Sequence, residues 1–489
     1  MCEVAFRRRV SEISSMSATE SSPVLSTPTR QSESQLGAEA NPGARKARYA
    51  VVGTGGRVVM FLDPLASTFS ETSEIVGLCD LNPVRLAHHS ERLASEFGLK
   101  DVPTFSAEAF DQMLAEQKPD YVIVCTVDAH HDEYIVRSLE AGCDVITEKP
   151  LTTDAAKCAR ILKAVEQSGK SVRVTFNMRW MPGASKVKEL ILSGVIGSVK
   201  SVVLEYTLDT KHGADYFRRW HSEKSKSGGL LVHKSTHHFD LVNWWMDAIP
   251  ETVFAFGDLA FYGRKNAEAR GQAELASYDR YTGNAPDTDP FKLDLEQDVL
   301  LKSLYLDAER EDGYIRDKNV FREGIDIEDS LSVVVKYRSG TLLTYSLTAF
   351  CPSEGFRATI NGDKGRIEYF THFKSHIIRG TNGDGDVLPS DKKNTSQKIT
   401  VHPLFVSPYE VEIPMAKGSH GGGDPLLQNQ MFGSPHPDVV MNRDAGHEQG
   451  AASAAIGFAA NQSILTGEPV RISDLCELKP TSLRLSELI

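Results

Sequence analysis

The first third of the chain alternates short apolar runs with segments of helical periodicity, for example 83–97 and 131–142. The apolar runs occupy residues 48–53, 74–79, 121–125 and 144–147. Apolar strands that alternate with helices form βαβ units, whose parallel sheet is covered by helices on both faces. The pattern therefore predicts a doubly wound α/β domain over residues 47–174.

The hydrophobic pattern changes after residue 174. Alternation with a period of two, typical of half-buried strands, appears at residues 199–206, 330–337, 341–348 and 356–360. This favours an antiparallel sheet and an α+β second domain over residues 175–475. Residues 262–323 are charged and irregular, which predicts an insertion of loops and short helices. A helical run at 445–465 precedes a short tail, residues 476–489.

The segment before residue 47 is rich in Ser, Thr, Glu, Pro and Ala. It buries too little apolar surface to offset its ordering entropy, so we expect residues 1–46 to form a disordered tail, either plainly solvated or regulatory. The sequence contains no run of 18 apolar residues, so no membrane span is predicted. The basic residues 7–9 lack the apolar core of a secretory signal, and Glu3 and Glu12 interrupt a mitochondrial presequence.

Composition narrows the possible partners and the compartment. The 489 residues carry a formal net charge of −12, which argues against nucleic acid or an anionic membrane as the main partner. The seven cysteines are scattered and never spaced as CxxC, which is typical of a reducing compartment and of neither a disulfide framework nor a zinc site. We therefore expect a cytoplasmic protein whose main partner is neither a nucleic acid nor a membrane.

A glycine-rich turn follows the first predicted strand. Its residues are Gly53, Thr54, Gly55, Gly56 and Arg57. Glycines in such a turn bring backbone N–H groups against a pyrophosphate at a helix N-terminus. The third glycine of the GxGxxG fingerprint falls on Val58, so a plain strand–helix turn remains the other interpretation.

Asp80 ends the second predicted strand, where a carboxylate can accept hydrogen bonds from both ribose hydroxyls of a dinucleotide. The same carboxylate would repel a 2′-phosphate, which favours NAD. Arg57 and Arg85 could complement a phosphate, so NADP stays possible.

The run from Gly228 to Asp240 concentrates acid–base groups. Read as one helix, it places His233, His237 and Asp240 at i, i+4 and i+7 on one face. Two imidazoles and a carboxylate can take a proton from an alcohol near neutral pH. The same three groups could instead bind zinc.

Several short motifs follow the order and spacing of one known family. They are Thr126-Val127-Asp128-Ala129-His130-His131 (like TPNxxH), Glu148-Lys149-Pro150 (EKP), Asn177-Met178-Arg179-Trp180-Met181-Pro182 (NxRxxP), Gly194-Val195-Ile196-Gly197 (GxIG) and the run from Gly228 to Asp240 (GGxxxDxGxHxxD). By these motifs the chain resembles the Gfo/Idh/MocA oxidoreductases, the superfamily of glucose–fructose oxidoreductase and inositol dehydrogenase.

The resemblance implies an N-terminal Rossmann domain and a C-terminal α+β domain with an open, mostly antiparallel sheet. It also implies hydride transfer between NAD(P) and a carbon that bears a hydroxyl. Lys149 would be the catalytic lysine that contacts the substrate oxygen, and His237 would be the general base. Thr126, His131, Glu148 and Lys149 would bind the cofactor together with the glycine turn, and the resemblance implies a reaction that needs no metal.

The chain departs from the family pattern where His233 stands in place of an aspartate. If both histidines face the cleft, His233 could orient the substrate or share the proton. Weaker candidates for substrate contact are Arg179, Trp220, Asp240 and His420. His420 belongs to a polar segment, 418–424, that could form a loop over the cleft or a plain solvated turn.

Three functions remain open from the sequence. The leading hypothesis is a nicotinamide-dependent dehydrogenase for a secondary hydroxyl of a sugar, polyol or glycoside. The others are a redox-assisted glycoside-cleaving enzyme with transiently reduced NAD, whose YPTH-type run is absent, and a non-catalytic nucleotide-sensing regulator, against which Lys149 and His237 weigh. The resemblance further implies a homo-oligomer, a dimer or tetramer, assembled through the exposed face of the open sheet.

Overall fold

The first sheet consists of six parallel strands in the order β3-β2-β1-β4-β5-β6. They are β1 (Ala47–Val52), β2 (Ser73–Asp80), β3 (Thr104–Ser106), β4 (Tyr121–Val124), β5 (Asp144–Thr147) and β6 (Val172–Val174). Doubly wound sheets of this order bind ligands where the winding direction reverses, here between β1 and β4. The predicted parallel α/β architecture is confirmed.

This computed structural model describes residues 45–374, 397–414, 419–433, 440–479 and 481–488, and the side chains of 374 and 419–421 are outside the description. The tail predicted for residues 1–46 lies almost wholly outside these ranges. Within the described residues, no helix is both long and apolar enough to cross a membrane.

Helices connect the strands of the first sheet. They are α1 (Val59–Ala66), α2 (Pro83–Phe97), α3 (Phe110–Gln117), α4 (His131–Glu140) and α5 (Ala155–Ser168). Helix α2 shows why the sequence signal was strong. The Asn82 side chain accepts hydrogen bonds from the backbone N–H groups of Val84 and Arg85, Pro83 occupies the first turn, and Gly98 ends the helix at φ 74°.

The second sheet has nine strands in the order β14-β13-β12-β11-β7-β10-β9-β8-β15. They are β7 (Val199–Asp209), β8 (Pro250–Asp258), β9 (Ser330–Tyr337), β10 (Leu342–Cys351), β11 (Glu354–Gly362), β12 (Gly365–Lys374), β13 (Lys398–Pro403), β14 (Tyr409–Val411) and β15 (Val470–Arg471). Strands β7 and β10 pair in parallel and all other neighbours are antiparallel. The mostly antiparallel second sheet is thus confirmed.

The remaining helices lie between and beside the strands of the second sheet. They are α6 (Pro182–Leu192), α7 (His212–Arg218), α8 (Lys224–Ser227), α9 (Leu230–His233), α10 (Thr236–Met246), α11 (Arg264–Ala269), α12 (Val299–Leu301), α13 (Glu309–Asp312), α14 (Ser419–Phe432) and α15 (His447–Thr466). Helix α15 is buried along most of its length and packs on α9, α10 and β8. The insertion also contains a short π-helix, Lys302–Leu306.

Residues 419–424 of the polar segment 418–424, which was interpreted as a loop or turn, instead begin helix α14, and residue 418 lies outside the described residues. Close packing explains the difference, because a Cβ on Gly423 would lie 2.6 Å from the carbonyl oxygen of Asn177. The Asp424 carboxylate is buried and accepts a hydrogen bond from the Asn177 side chain at 2.8 Å. The side chain of His420 lies outside the described residues.

Candidate active site

A cleft of about 640 Å³ runs along the carboxyl ends of the first sheet, and residues of the second domain form its opposite wall. Twelve residues singled out from the sequence line it together. They are Gly53, Gly55, Gly56, Arg57, Asp80, Thr126, His131, Glu148, Lys149, Trp220, His233 and His237. Motifs that are far apart in the chain therefore meet at one site, because the ends of parallel strands share one edge of the sheet.

The glycine turn closes tightly on the strand beside it. Gly53 has φ +88°, and a Cβ there would lie 2.6 Å from the backbone carbon of Cys125, so this position requires glycine. Asp80 holds the turn from the other side. Its Oδ2 accepts hydrogen bonds from the Thr54 backbone N–H at 2.5 Å and from the Thr54 hydroxyl at 2.9 Å. The turn is thus preorganised, and Gly53, Gly55 and Gly56 line the cleft.

The insertion lies against this edge through a segment, residues 302–312, that we call the strap. The Tyr305 hydroxyl accepts a hydrogen bond from the Gly56 backbone N–H at 2.9 Å. Asn82 donates to the carbonyl of Ala308 at 3.0 Å. Arg85 donates to the carbonyl of Leu304 at 3.2 Å and pairs with Asp312. The strap thereby engages an amide of the glycine turn, and nothing in the irregular sequence of the insertion signalled this contact.

Lys149 follows β5, is half-buried and lines the cleft. Its ammonium donates to the backbone carbonyl of His233 at 3.0 Å and lies 3.4 Å from His233 Nε2. Burial lowers the pKa of Lys149 to about 8, against the opposing attraction of Asp128 and Glu148. Such a lysine can donate a hydrogen bond to a substrate oxygen and changes protonation near physiological pH.

Two neighbours hold the Lys149 segment in place. The guanidinium of Arg57 pairs with the carboxylate of Glu148 at 2.6 Å. The His131 ring is fully buried between the carbonyl of Pro150, 2.8 Å from Nδ1, and that of Thr126, 3.2 Å from Nε2. Burial lowers the pKa of His131 to about 4. These contacts give His131 a role in joining the turns after β4 and β5.

The run that was interpreted as one helix is in fact two. Helix α9 ends at His233, residues 234–235 form a turn, and α10 begins at Thr236. His233 and His237 both line the cleft despite this break, and so does Lys234, whose ammonium lies 5.0 Å from the Tyr206 ring centroid.

Asp240 does not line the cleft. Its carboxylate forms a bidentate ion pair with Arg179, whose Nε and Nη2 donate to Oδ2 at 2.8 Å and to Oδ1 at 2.6 Å. Both side chains are essentially inaccessible to solvent. Gln449 and Ser453 of α15 complete the network by bonding to Arg179 and Asp240 respectively. Neither of these predicted substrate contacts is among the residues that line the cleft. The packing of α15 on α10 accounts for their burial.

Asp128 is the main site residue that sequence reasoning passed over. It is buried in the turn after β4, and its carboxylate bonds to Nδ1 of His233 at 2.5 Å. His221 meets the His233 ring edge to face, with centroids 4.3 Å apart, and stacks on Trp220 at 3.7 Å. The available signal was that Asp128 replaces the asparagine of the TPNxxH-like run.

Among the described residues, no group of three or more His, Cys, Asp and Glu side chains is arranged to hold a metal. The zinc interpretation needed Asp240 as its third ligand. That carboxylate is engaged by Arg179 instead.

Comparison with known families agrees with this geometry. A model described as the NAD-binding Rossmann fold of the oxidoreductase family GFO_IDH_MocA matches residues 47–176, and one described as the C-terminal alpha/beta domain of that family matches residues 188–472. The chain therefore belongs to the Gfo/Idh/MocA oxidoreductase family, as the motifs predicted, and it is an NAD(P)-dependent oxidoreductase.

Particular relatives share much of the chain. It is 39% identical to YteT of Bacillus subtilis (strain 168), a protein named as an oxidoreductase, over 86% of this chain and 96% of that one. It is 26% identical to inositol 2-dehydrogenase of Rhizobium meliloti (strain 1021), over 42% of this chain and 57% of that one.

Solved structures share the fold. Levoglucosan dehydrogenase in complex with NADH matches 88% of this chain and 99% of its own, with a TM-score of 0.59 at 15% identity. Aldose–aldose oxidoreductase from Caulobacter crescentus, complexed with glycerol, matches 87% and 100%, with a TM-score of 0.56 at 16% identity.

Proposed function

We propose that this protein is an NAD-dependent dehydrogenase that oxidises a secondary hydroxyl of a sugar, polyol or glycoside. The observation that carries the proposal is the meeting of the Lys149 ammonium with the His233 imidazole in the same cleft as the glycine turn. When bound, the nicotinamide supplies the hydride acceptor. The relationship to inositol 2-dehydrogenase supports a polyhydroxylated substrate.

The protein's own groups bind the substrate oxygen and move its proton. Lys149 donates a hydrogen bond to the hydroxyl oxygen and stabilises the negative charge that develops on it, an interaction that is strong in a cleft with little water. His237 and His233, which line the same cleft, are the candidate proton acceptors. Trp220, whose ring stacks on His221, also lines the cleft, and an aromatic side chain of this kind can pack against a sugar ring.

The charges beside Asp80 support NAD rather than NADP. Of the two cations that could have met a 2′-phosphate, Arg57 is paired with Glu148, and Arg85 is paired with Asp312 and lies 3.5 Å from the Asp80 carboxylate. A phosphate brought to this place would therefore meet two carboxylates as well as the guanidinium, which disfavours its binding.

The decisive experiment is turnover of NAD and NADP with a panel of sugars, inositols and glycosides. Net formation of NADH, with NAD preferred, is the expected result. Cleavage of a glycoside without net NADH would instead identify a redox-assisted glycosidase. Tight nucleotide binding without turnover of any compound would favour a nucleotide-sensing regulator.

Replacing Tyr305 with phenylalanine is expected to tighten NAD binding. The phenol competes with the nucleotide for the Gly56 N–H, and loss of one neutral hydrogen bond corresponds to about 2- to 10-fold in the dissociation constant. Calorimetric titration measures the change. Tyr278→Phe is the matched control, since its hydroxyl bonds to Asp289 within the same insertion. Weaker binding by Tyr305→Phe would show that the phenol helps to hold the nucleotide.

The open face of the second sheet supports self-association. Central strands present a row of exposed apolar side chains on this face: Val203, Phe256, Val334 and Leu342. The pairing of Thr344 with both Val203 and Val334 places these residues side by side. Glu205 and Lys336 lie on the same face. A second copy related by a two-fold axis could therefore match both charges and bury the apolar row.

Val334→Lys is expected to convert the oligomer to a monomer, because it places a charge in the middle of this apolar row. Light scattering after size-exclusion chromatography measures the mass. Leu404→Lys introduces the same charge at an exposed position outside these central strands and should leave the mass unchanged. An unaltered mass in Val334→Lys would place the interface elsewhere.

A further inference from the structure

An aspartate–histidine pair stands directly behind the lysine of the candidate active site. Asp128 lies in the turn after β4, and His233 is the last residue of α9, 105 positions further along the chain. Their side chains are 4% and 11% exposed, and both residues line the cleft. A carboxylate and an imidazole this far apart in sequence and this well buried are held together by the fold itself.

The two ring nitrogens of His233 have different surroundings. Nδ1 lies 2.5 Å from Asp128 Oδ2, whereas Nε2 faces Lys149 Nζ at 3.4 Å. A carboxylate on Nδ1 fixes the tautomer that leaves Nε2 as an acceptor, and it stabilises the imidazolium that forms when Nε2 takes a proton. The arrangement has the order carboxylate, imidazole and amine, ending at the point where the substrate oxygen binds.

We propose that Asp128 and His233 form the proton-accepting pair of this enzyme, with Lys149 as the link to the substrate. This assignment rests on the proposed dehydrogenase function. It moves the base from His237, where the family resemblance puts it, to His233.

The step balances in atoms and electrons. The substrate O–H bond breaks and its proton passes to Lys149 Nζ, while Lys149 transfers one of its own protons to His233 Nε2. The C–H bond breaks with its electron pair, which leaves as hydride to the nicotinamide, and the carbon–oxygen bond becomes a carbonyl. The imidazolium that results is paired with Asp128 and then releases its proton to water.

The charges around His233 fit this role. The charged and titratable groups that face it are Asp128, Lys149, Tyr216, Arg219, His221 and Lys234. Burial, followed by the repulsion of the neighbouring Lys149, holds the pKa of His233 well below its usual value, so the ring is a neutral acceptor between turnovers. Burial raises the pKa of Asp128, and the Lys149 ammonium opposes that rise by stabilising the carboxylate.

Asp128→Asn tests the pair through the pH profile of kcat. The amide keeps the size of the side chain but loses the charge and the fixed tautomer, so kcat should fall about 100- to 10,000-fold. The acidic limb should also move about one unit or more to lower pH, because the imidazolium has lost its carboxylate. A role confined to folding would lower the melting temperature and leave that limb where it is. Asp111→Asn, at an exposed carboxylate of the same domain, is the matched control.

The two histidines should respond differently. His233→Gln should abolish the acidic limb of kcat, whereas His237→Gln should raise KM and keep the limb. If His237→Gln abolished the acidic limb and His233→Gln kept it, the base would be His237 and the assignment would be overturned.

Nitrogen-15 NMR of labelled histidine measures which ring nitrogen of His233 carries the proton, and it needs no turnover. His233 should show a protonated Nδ1 with a low-field proton and an unprotonated Nε2, and this signal should disappear in His233→Gln and change in Asp128→Asn. A protonated Nε2 in the wild-type protein at pH 7.5 would overturn the proposal. If no compound of the substrate panel is oxidised, the proposed function fails, but the NMR result still decides the tautomer.

Discussion

Substitution of Lys149 by methionine is expected to lower kcat by about 100- to 1000-fold, the usual cost of losing one donor to a developing oxyanion. Methionine keeps an unbranched apolar chain of similar length, so the buried part of the side chain stays filled. Since the glycine turn and Asp80 do not depend on the ammonium, NAD affinity should stay within a few-fold of the wild type. Stopped-flow NADH formation measures kcat, and calorimetry measures binding.

Lys163→Met provides the matched control for this substitution. Lys163 is an exposed residue of α5, so its loss should leave both kcat and NAD affinity unchanged. An undiminished rate in Lys149→Met would remove Lys149 from the reaction and, with it, the proton route through His233.

Asp240→Ala is expected to cost about 3–5 kcal/mol in the free energy of unfolding, because it leaves the Arg179 guanidinium buried without its carboxylate. The fraction of protein that remains folded should retain its KM, since neither residue lines the cleft. Urea denaturation followed by tryptophan fluorescence measures the loss, with enzyme kinetics on the same preparations.

The double variant Arg179→Met, Asp240→Leu should be more stable than Asp240→Ala, since it removes both charges and fills the space with apolar groups. An Asp240→Ala protein of wild-type stability with a greatly raised KM would restore the role in substrate contact that the sequence suggested.

The sequence predicted best those elements whose signals are local. Helix α2 carries its own start and stop, from Asn82 to Gly98, and its predicted bounds match those observed. Residues 49–52 of β1 form a continuous buried run that the sequence shows directly. By contrast, β3 and β6 have only three residues each, too few to show any periodicity.

The site was predictable as far as motifs reach. The motifs identify Lys149, His233 and His237 as site residues. They do not show which face of a helix is covered by another element. Asp240 shares a helix with His237, yet α15, some 200 residues later, packs over it and draws it to Arg179. The pairing of Asp128 with His233 depends on how two distant turns meet. Such contacts are set by tertiary packing, to which local periodicity does not respond.

The strap has a consequence for engineering and for divergence among relatives. Four contacts join residues 302–312 to the glycine turn and to the start of α2, through Gly56, Asn82 and Arg85. Exchange of this insertion for that of another family member would change the proposed nucleotide site even though no residue of the Rossmann domain is altered. Insertion sequence and nucleotide preference should therefore vary together, and a graft intended to alter the substrate should be accompanied by compensating changes at Arg85.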